Sequence, residues 1–372
     1  MQKVLTVIGT RPEAIKTAPV IRALTAARDF ESVVCVTGQH RQMLDQMLNF
    51  FGIRADHDLA VMRPDQTLTG LTARTLETLK PVLDAVRPDW VVVQGDTATA
   101  MAAALSAYYN RIKVAHVEAG LRTGDKYSPY PEEVNRRIIG AIADLHFAPT
   151  EAARAALLAE NTPPASIVVT GNSGIDSLFW TRERIRSGKI GAPADLKPLL
   201  EGRRLVLVTA HRRENFDGGL AEICAALKTL VERFEDVAVV LPVHPNPNVK
   251  GPIEQSLAGT ERIHLAAPLD YGPFVWLLDR AHLILTDSGG IQEEATSLGK
   301  PMLVMRDVTE RPEAVSAGPA ILVGARQQRI VEEAAALLSD PARYARTALA
   351  SAVFGDGAAA GRIIEALRER GA

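Results

Sequence analysis

Residues 4–36 read VLTVIGTRPEAIKTAPVIRALTAARDFESVVCV, and this stretch already indicates the fold class. Two apolar runs, residues 4–8 and 32–36, flank a segment at 12–27 whose length and residue types are typical of a helix. Both runs are apolar almost throughout instead of alternating with polar residues, which is the pattern of parallel strands covered on both faces. A strand, a helix and a second parallel strand form the repeating unit of doubly wound α/β domains.

The same alternation continues along the chain. Further strands are predicted at residues 90–94, 113–117, 145–148 and 167–170, with helices at 66–86, 97–109 and 132–143. After a polar stretch at residues 187–202 the pattern starts again, with strands at 205–208, 238–241, 282–285 and 302–304. The sequence predicts an α/β protein of two doubly wound domains, residues 1–172 and 173–357, which face a central cleft. A terminal helix within residues 358–372 could pack back on the first domain.

The composition narrows the class of function. A chain of 372 residues is too long for one ordinary core, and a net charge of −2 argues against a general nucleic-acid-binding protein. Cys35 and Cys224 lie in apolar runs, so we expect two small core residues in a reducing compartment rather than a disulfide. No cationic leader precedes the first strand, and no apolar stretch approaches about 20 residues. These features favour a cytoplasmic protein.

Polar residues that follow the strands of the first half are the first site candidates, because ligands of open parallel sheets bind there. Arg11 and Lys16 flank the start of a helix, which suits an anion, although two solvated basic residues would look the same. Asp96, Glu118 and Glu132 follow strands or begin a helix. One such carboxylate is explained by helix capping or by the helix dipole. Three are more than capping requires, and converging carboxylates can act as general acids and bases.

A second set of polar residues follows the strands of the second half. His211 ends one strand beside two arginines, which indicates a phosphate-facing donor more than a packed core histidine. Ser288-Gly289-Gly290 follows another strand, and its small residues would let backbone N–H groups at a helix N-terminus approach a phosphate. A plain serine cap is the alternative. Glu294 could accept hydrogen bonds from ribose, and Arg311 could bind phosphate or lie in a solvated loop.

The sequence does not favour a metal or a dinucleotide cofactor. His116, Glu118 and His211 have the right side chains for metal ligands, but no cysteine pair and no H-E-x-x-H spacing accompanies them. The turn after the first strand is not a G-x-G-x-x-G turn, which argues against a dinucleotide-dependent dehydrogenase. We therefore expect no metal and no added cofactor.

Taken in order, these motifs resemble the non-hydrolysing UDP-N-acetylglucosamine 2-epimerase family. The resemblance runs from Gly9-Thr10-Arg11-Pro12-Glu13 to Gly355-Asp356-Gly357, and its densest parts are His116-Val117-Glu118-Ala119-Gly120-Leu121-Arg122, Pro131-Glu132-Glu133-x-Asn135-Arg136, His211-Arg212-Arg213-Glu214, and Asp287-Ser288-Gly289-Gly290 with Glu293-Glu294. It implies a GT-B-like architecture of two Rossmann-like domains, a homodimer and no added organic cofactor. It also implies interconversion of UDP-N-acetylglucosamine and UDP-N-acetylmannosamine, in which UDP leaves to give 2-acetamidoglucal and then adds back.

The resemblance further implies a role for each candidate residue. Asp96, Glu118 and Glu132 would form the acid/base group, and His211 would assist at the departing diphosphate. The substrate would be held by Arg11, Lys16, Phe274 (on the uracil), the Ser288-Gly289-Gly290 amides, Glu294 (on the ribose) and Arg311. Some members are activated by substrate at a second site, and the residues here that resemble that site are Gln42, Gln46, Arg212 and His244. Leu269 replaces a glutamine of some bacterial relatives, so uracil recognition there would have to use backbone groups.

Three other functions fit part of the pattern. A GT-B glycosyltransferase shares the two domains but would not need the acidic trio Asp96, Glu118 and Glu132. A hydrolysing epimerase would release UDP and free N-acetylmannosamine. A catalytically silent UDP-sugar sensor would bind without turnover, and the same acidic trio argues against it.

Overall fold

The computed structural model describes residues 1–38, 41–63 and 66–371, apart from the side chains of residues 41 and 42. The chain forms two compact units. The first, called unit 1 below, comprises Met1–Ser177 and Gly355–Ala372, and the second, unit 2, comprises Leu178–Phe354. No helix among the described residues is both long and apolar enough to cross a membrane.

The sheet of unit 1 is parallel throughout its described strands. These are β1 (Gln2–Ile8), β2 (Phe30–Val36), β3 (His57–Asp58), β4 (Trp90–Gln94), β5 (Lys113–Val117), β6 (Leu145–Ala148) and β7 (Ile167–Val169). Their order across the sheet is β3-β2-β1-β4-β5-β6-β7. The direction of winding reverses between β1 and β4, and such a switch point opens a crevice for ligands at the carboxyl ends of the strands.

Helices connect these strands and cover both faces of the sheet. They are α1 (Arg11–Ala26), α2 (Arg41–Phe51), α3 (Leu68–Val86), α4 (Ala98–Tyr109), α5 (Glu132–Ile142) and α6 (Glu151–Ala159), whereas α7 (Ser173–Arg186) follows β7 and continues from unit 1 into unit 2. One core cluster joins Val4 and Val92 to residues of α1, and another joins Leu5 and Val91 to residues of α3 and α4. Because β1 and β4 contribute to both clusters, their runs are apolar almost throughout, as the sequence predicted, with Thr6 and Gln94 as buried polar exceptions.

Unit 2 repeats this plan with a parallel sheet of its own. Its described strands are β8 (Arg204–Thr209), β9 (Val237–Pro242), β10 (Ile263–Ala266), β11 (Leu283–Thr286), β12 (Met302–Val304) and β13 (Ala320–Leu322). Their order is β10-β9-β8-β11-β12-β13, so the switch point lies between β8 and β11. The strands β10 and β13, at the two edges, were not predicted from the sequence.

The helices of unit 2 are α8 (Gly219–Arg233), α9 (Pro247–Leu257), α10 (Tyr271–Arg280), α11 (Gly289–Leu298), α12 (Pro312–Ser316), α13 (Gln327–Ser339) and α14 (Pro341–Thr347). The chain then returns to unit 1 as α15 (Ala359–Arg370), which packs on α1. The Asp176 carboxylate accepts hydrogen bonds from the N–H groups of Ala359 (3.3 Å) and Ala360 (2.9 Å) at the start of this helix. Ile363 and Leu367 are fully buried in the core of unit 1.

Candidate active site

The turn after β1 lies at the switch point of unit 1. A Cβ atom at Gly9 would lie 2.4 Å from Thr99 Oγ1 and 2.9 Å from Thr37 Oγ1, so only glycine fits between the end of β2 and the start of α4. Thr10 and Glu13 then form a capping box that begins α1. Arg11, the first residue of that helix, is half-buried beside the turn.

Glu13 joins the two loops of this switch point. Its carboxylate is buried and accepts hydrogen bonds from the N–H groups of Gly9 (3.0 Å) and Thr10 (2.6 Å) and from Thr97 Oγ1 (2.7 Å). Burial raises the pKa of Glu13, and these hydrogen bonds oppose that shift. Thr97 also accepts a hydrogen bond from Ala100 N–H (3.0 Å) as the N-cap of α4. The sequence analysis did not select Glu13, although its T-x-x-E spacing is the signal of a capping box.

Glu118 lies at the centre of the polar cluster in unit 1. Its carboxylate forms an ion pair with Lys16 and accepts a hydrogen bond from the side-chain amide of Gln94, at the end of β4. The backbone of Glu118 is left-handed, with φ of 64°, a conformation that non-glycine residues adopt at a local cost in energy. This conformation directs the chain after β5 while the carboxylate stays within reach of Lys16 on α1. The structure therefore brings together two of the predicted site residues.

Asp96 is the second carboxyl group of this cluster. Its Oδ2 accepts a hydrogen bond from Arg136 Nε (2.7 Å), and its backbone carbonyl accepts one from Asn135 Nδ2 (2.8 Å). Burial raises the pKa of Asp96, the nearby charge of Glu118 adds to that rise, and Arg136 and Lys16 oppose it. A carboxyl group with a raised pKa carries its proton to higher pH than usual, as an acid/base catalyst requires.

The adjacent residues Glu132 and Glu133 have different surroundings. Glu133 is fully buried and accepts hydrogen bonds from the N–H groups of Thr123 (3.1 Å) and Gly124 (3.3 Å), with Arg136 Nη1 at 3.2 Å. It therefore fixes the loop before α5. Glu132 begins α5, and its buried Oε2 accepts no hydrogen bond from any of the described residues. A buried oxygen without a donor favours a role for Glu132 toward a ligand over a role in holding the fold.

At the switch point of unit 2, Asp287 joins the loops that follow β8 and β11. It is completely buried, and its Oδ2 accepts hydrogen bonds from the N–H groups of His211 and Arg212 (2.9 Å each) and from Asn215 Nδ2 (3.0 Å). Its Oδ1 lies 3.2 Å from His211 Nδ1. The His211 ring also stacks on that of His244, with 5.8 Å between the ring centroids. Burial lowers the pKa of His211, whereas the charge of Asp287 raises it.

The start of α11 provides the donors expected for an anion. Ser288 is the N-cap, and its hydroxyl accepts no hydrogen bond from the helix, so the first N–H groups of α11 have no side-chain cap. Gly290 is exposed, and a Cβ atom there would meet no atom within 4 Å. Arg311 lies close to Gly289, forms an ion pair with the buried Glu293, and is held by that contact. The arrangement can accept a phosphate group at the helix N-terminus.

The remaining candidates are Glu294, Phe274, Gln42, Gln46, Arg212 and His244, of which Arg212 and His244 contact the Asp287–His211 cluster described above. Glu294 is half-buried one residue after Glu293, and Phe274 is half-buried in the first turn of α10. Gln46 is exposed on α2 of unit 1, and Arg212 and His244 belong to unit 2. The side chain of Gln42 falls outside the described part of the chain. Among the described residues, no group of three or more His, Cys, Asp or Glu side chains could hold a metal ion.

Comparison with known proteins identifies the family. The family model described as UDP-N-acetylglucosamine 2-epimerase matches residues 22–368. The UDP-N-acetylglucosamine 2-epimerase of Escherichia coli strain K12 is 53% identical over 369 residues, which cover 98% of each chain. The chain belongs to the UDP-N-acetylglucosamine 2-epimerase family. The resemblance noted in the sequence motifs is thereby confirmed.

Solved structures of the 2-epimerase family share the whole fold. The enzyme from Neisseria meningitidis bound to UDP-GlcNAc superposes with a TM-score of 0.90 at 45% identity, over 99% of this chain and 100% of that one. The enzyme from Methanocaldococcus jannaschii, in complex with UDP-GlcNAc and UDP, gives a TM-score of 0.82 at 33% identity, with coverage of 99% and 100%. The predicted α/β class with two Rossmann-like, GT-B-like domains is confirmed.

For this 2-epimerase family member, the sequence analysis missed the residues that hold the candidate groups in place. These residues are Glu13, Gln94, Arg136, Glu133, Asp287 and Glu293. Each one contacts a residue in another segment of the chain, as Gln94 does with Glu118, 24 positions away. Only Glu13 carries a local spacing signal, because its capping partner Thr10 lies three positions before it.

Proposed function

We propose that this protein epimerises UDP-N-acetylglucosamine at carbon 2, giving UDP-N-acetylmannosamine reversibly and without net hydrolysis. The observation that carries the proposal is the match to 2-epimerases over nearly the whole chain, together with the Asp96, Glu118 and Lys16 cluster at the switch point of unit 1. Related proteins have been crystallised with UDP-GlcNAc, which supports this nucleotide sugar as the substrate here.

The reaction proceeds by elimination and addition. A base removes the proton from carbon 2, the electron pair forms the carbon 1–carbon 2 double bond, and the bond from carbon 1 to the diphosphate oxygen breaks. UDP and 2-acetamidoglucal remain bound. The diphosphate oxygen then adds back to carbon 1 while a proton is delivered to carbon 2 from the opposite face. Because the carbon 2 proton is weakly acidic, its removal needs both a positioned base and a stabilised leaving group.

Unit 1 supplies the proton-transfer groups of this proposal. Asp96, Glu118 and Glu132 are the acid/base group, and Lys16 and Arg11 contribute positive charge. Asp96 is the best candidate for the group that holds a proton, since burial raises its pKa. Glu118 is placed by contacts with Lys16 and Gln94, which limit its rotation. Restricting a base to one geometry is a large part of what an enzyme contributes to such a step.

Unit 2 supplies the nucleotide-binding groups. The amides of Gly289 and Gly290 and the cation Arg311 stabilise the diphosphate as negative charge builds on it, whereas the Ser288 N–H already donates to Thr286 Oγ1 (3.0 Å). His211 acts there as a donor, Glu294 accepts from the ribose, and Phe274 contacts the uracil. These groups must retain UDP between elimination and addition, because early release would turn the epimerase into a hydrolase.

Incubation with UDP-N-acetylglucosamine in deuterated water, followed by proton NMR, tests the proposal. We expect deuterium at carbon 2 in a mixture of the two intact UDP-sugars. Free UDP and free N-acetylmannosamine as main products would instead identify a hydrolysing epimerase. UDP-sugar binding without turnover or exchange would identify a sensor.

We also propose that the protein is a homodimer. The chain mass is 40.1 kDa, so light scattering coupled to size exclusion should give about twice that value. A monomer mass across the working concentration range would contradict this part of the proposal.

A further inference from the structure

Asp287 has more hydrogen-bond partners than the turn after β11 requires. Its Oδ2 receives three donors, the N–H groups of His211 and Arg212 and the amide of Asn215, all within 3.0 Å. This oxygen is saturated by these contacts. Its other oxygen, Oδ1, is completely buried, lies 3.2 Å from His211 Nδ1, and accepts no aligned hydrogen bond from the described residues.

This ion-pair contact favours a proton on one nitrogen of the His211 ring. A bare Nδ1 lone pair 3.2 Å from a buried carboxylate oxygen that has no hydrogen-bond donor would be repelled, so we assign the proton to Nδ1. Nε2 is then the ring nitrogen left for a ligand, and the His211 side chain is 37% exposed. A neutral ring with its proton on Nδ1 can only accept a hydrogen bond at Nε2. To donate to a diphosphate oxygen, His211 must therefore be doubly protonated.

We propose that Asp287 is a positioning residue that makes His211 a cationic donor to the departing diphosphate. This inference rests on the proposed epimerase function and names a residue that acts through another. The buried carboxylate orients the ring and compensates its positive charge. The carboxylate–histidine pair of hydrolases uses the same physical arrangement, in which the acid fixes the tautomer and stabilises the imidazolium.

The charges around His211 set the balance between its two forms. Burial, Arg212 and His244 all lower the pKa of His211, Asp287 is the group that raises it, and in the ligand-free protein the pKa lies below its ordinary value on balance. A bound diphosphate brings further negative charge to Nε2, which favours the protonated ring. Without Asp287, the three contributions that lower the pKa of His211 are no longer opposed. The protonated form is then lost at lower pH.

The variant Asp287→Asn tests this role through the pH dependence of kcat. An asparagine oxygen can still accept from His211 N–H and Arg212 N–H, so the loop is retained. With protonated His211 as the active form, kcat falls as pH rises through the pKa of His211 in the complex. In Asp287→Asn we expect that decline to move to lower pH by about one pH unit or more. The control Asn215→Ala removes one donor to Oδ2, does not face Nδ1, and should leave the position of the decline unchanged.

Two further measurements separate positioning from general damage. His211→Gln should lower kcat at least tenfold in the wild-type background and by much less in Asp287→Asn, because the two residues act as one group. In the ligand-free protein, the His211 ring signal, identified by its loss in His211→Gln, should titrate at lower pH in Asp287→Asn. If Asp287→Asn does not fold, the nitrogen shifts of the wild-type ring still report the tautomer.

Additive losses, an unmoved pH profile or a wild-type ring protonated only at Nε2 would each overturn the role of Asp287. The ring titration and the tautomer are measured without substrate. A failure of epimerase activity in the wild-type protein is therefore distinguishable from a failure of this inference.

Discussion

The two switch points of the molecule share one structural feature, a buried carboxylate that joins two loops, and differ in the side chains around it. In each unit a buried carboxylate joins the loops that follow the two central strands, Glu13 between β1 and β4 and Asp287 between β8 and β11. Each unit also has a pair of buried threonine hydroxyls in contact at its switch point, Thr37 with Thr99 at 3.2 Å and Thr209 with Thr286 at 2.7 Å. In both units the buried carboxylate holds the loops of a doubly wound sheet together.

The difference lies in the chemical class of the side chains that surround each switch point. Unit 1 presents carboxyl groups, with Asp96 and Glu118 close enough to affect one another, as the raised pKa of Asp96 reflects. Unit 2 presents donors, which are the first amides of α11, Arg311 and His211. One scaffold can thus serve proton transfer or anion binding, because the fold fixes only where the loops meet.

The largest expected effect is a loss of turnover caused by a substitution in unit 1, with UDP affinity retained. Glu118→Gln keeps the size of the side chain but removes its charge, so kcat should fall by about 10²–10⁴-fold. UDP affinity should change little, because the nucleotide-binding groups proposed for unit 2 are intact. Steady-state kinetics and calorimetric titration with UDP check both statements.

Glu151→Gln is the matched control for that substitution. Glu151 lies on α6 of the same unit with 77% of its side chain exposed, and its replacement should leave kcat unchanged. Wild-type turnover in Glu118→Gln, or a parallel loss of UDP affinity, would remove the assignment of proton chemistry to unit 1.

The second effect tests the anion site of unit 2. Gly290→Asp places a carboxylate in the first turn of α11, where like charge should weaken UDP binding by about tenfold or more. The same charge favours the helix dipole, so thermal stability should hold or rise slightly. Calorimetric titration with UDP and a thermal melt measure the two opposite changes. Gly290→Asn, of the same size without the charge, should bind UDP more tightly than Gly290→Asp, and equal affinities would place the diphosphate elsewhere.

The fold could be predicted from the sequence because its central strands carry their own signal. Strands such as β4 and β5 are buried along almost their whole length, so their largely apolar runs mark their position in the sequence. The edge strands β10 and β13 were missed because each is short and only partly buried, with His264 inside β10. An edge strand owes its conformation to pairing with its neighbour more than to a pattern of its own.

The candidate site could be predicted only in part, for a related reason. Strand ends are readable, so Asp96 and Glu118 could be selected from position alone. The contacts that set their chemistry join residues far apart in the chain, as Arg136 and Asp96 are 40 positions apart. No local spacing reports such a pair. The roles of the selected residues remain predictions that the substitutions above address.

A smaller effect, on stability, concerns the buried carboxylate Glu13 that joins the loops of unit 1. Thr97→Val removes the hydroxyl that donates to Glu13 and accepts from Ala100 N–H. The loss of a cap and of a donor to a buried carboxylate should lower the free energy of unfolding by about 1–2 kcal/mol. Thr97→Ser keeps the hydroxyl and should recover most of that stability. Urea unfolding of the two variants measures this difference in stability. Equal midpoints would mean that the hydrogen bond between Thr97 and Glu13 does not stabilise unit 1.

The smallest expected effect at neutral pH concerns the stability contribution of His116, a histidine of unit 1, and contrasts it with His211. His116 is buried, its Nε2 lies 2.7 Å from the carbonyl oxygen of Gly95, and burial lowers its pKa to about 3. Below about pH 6.5 the unfolded chain binds a proton that the folded protein does not. Stability should therefore fall as the pH drops from about 6.5 toward 3, by up to about 1.4 kcal/mol per pH unit from this group.

His116→Gln keeps a donor toward the Gly95 carbonyl but has no proton to gain. The slope of stability against pH should therefore be shallower in the variant over that interval, whatever its offset at pH 7. Some slope should remain, because burial also lowers the pKa of His146, on the neighbouring strand, to about 4. The pH profile of kcat should keep its shape, in contrast to Asp287→Asn. If His116→Gln instead moved that profile, His116 would belong to the proton chemistry of unit 1, and the two switch points would each contain an active histidine.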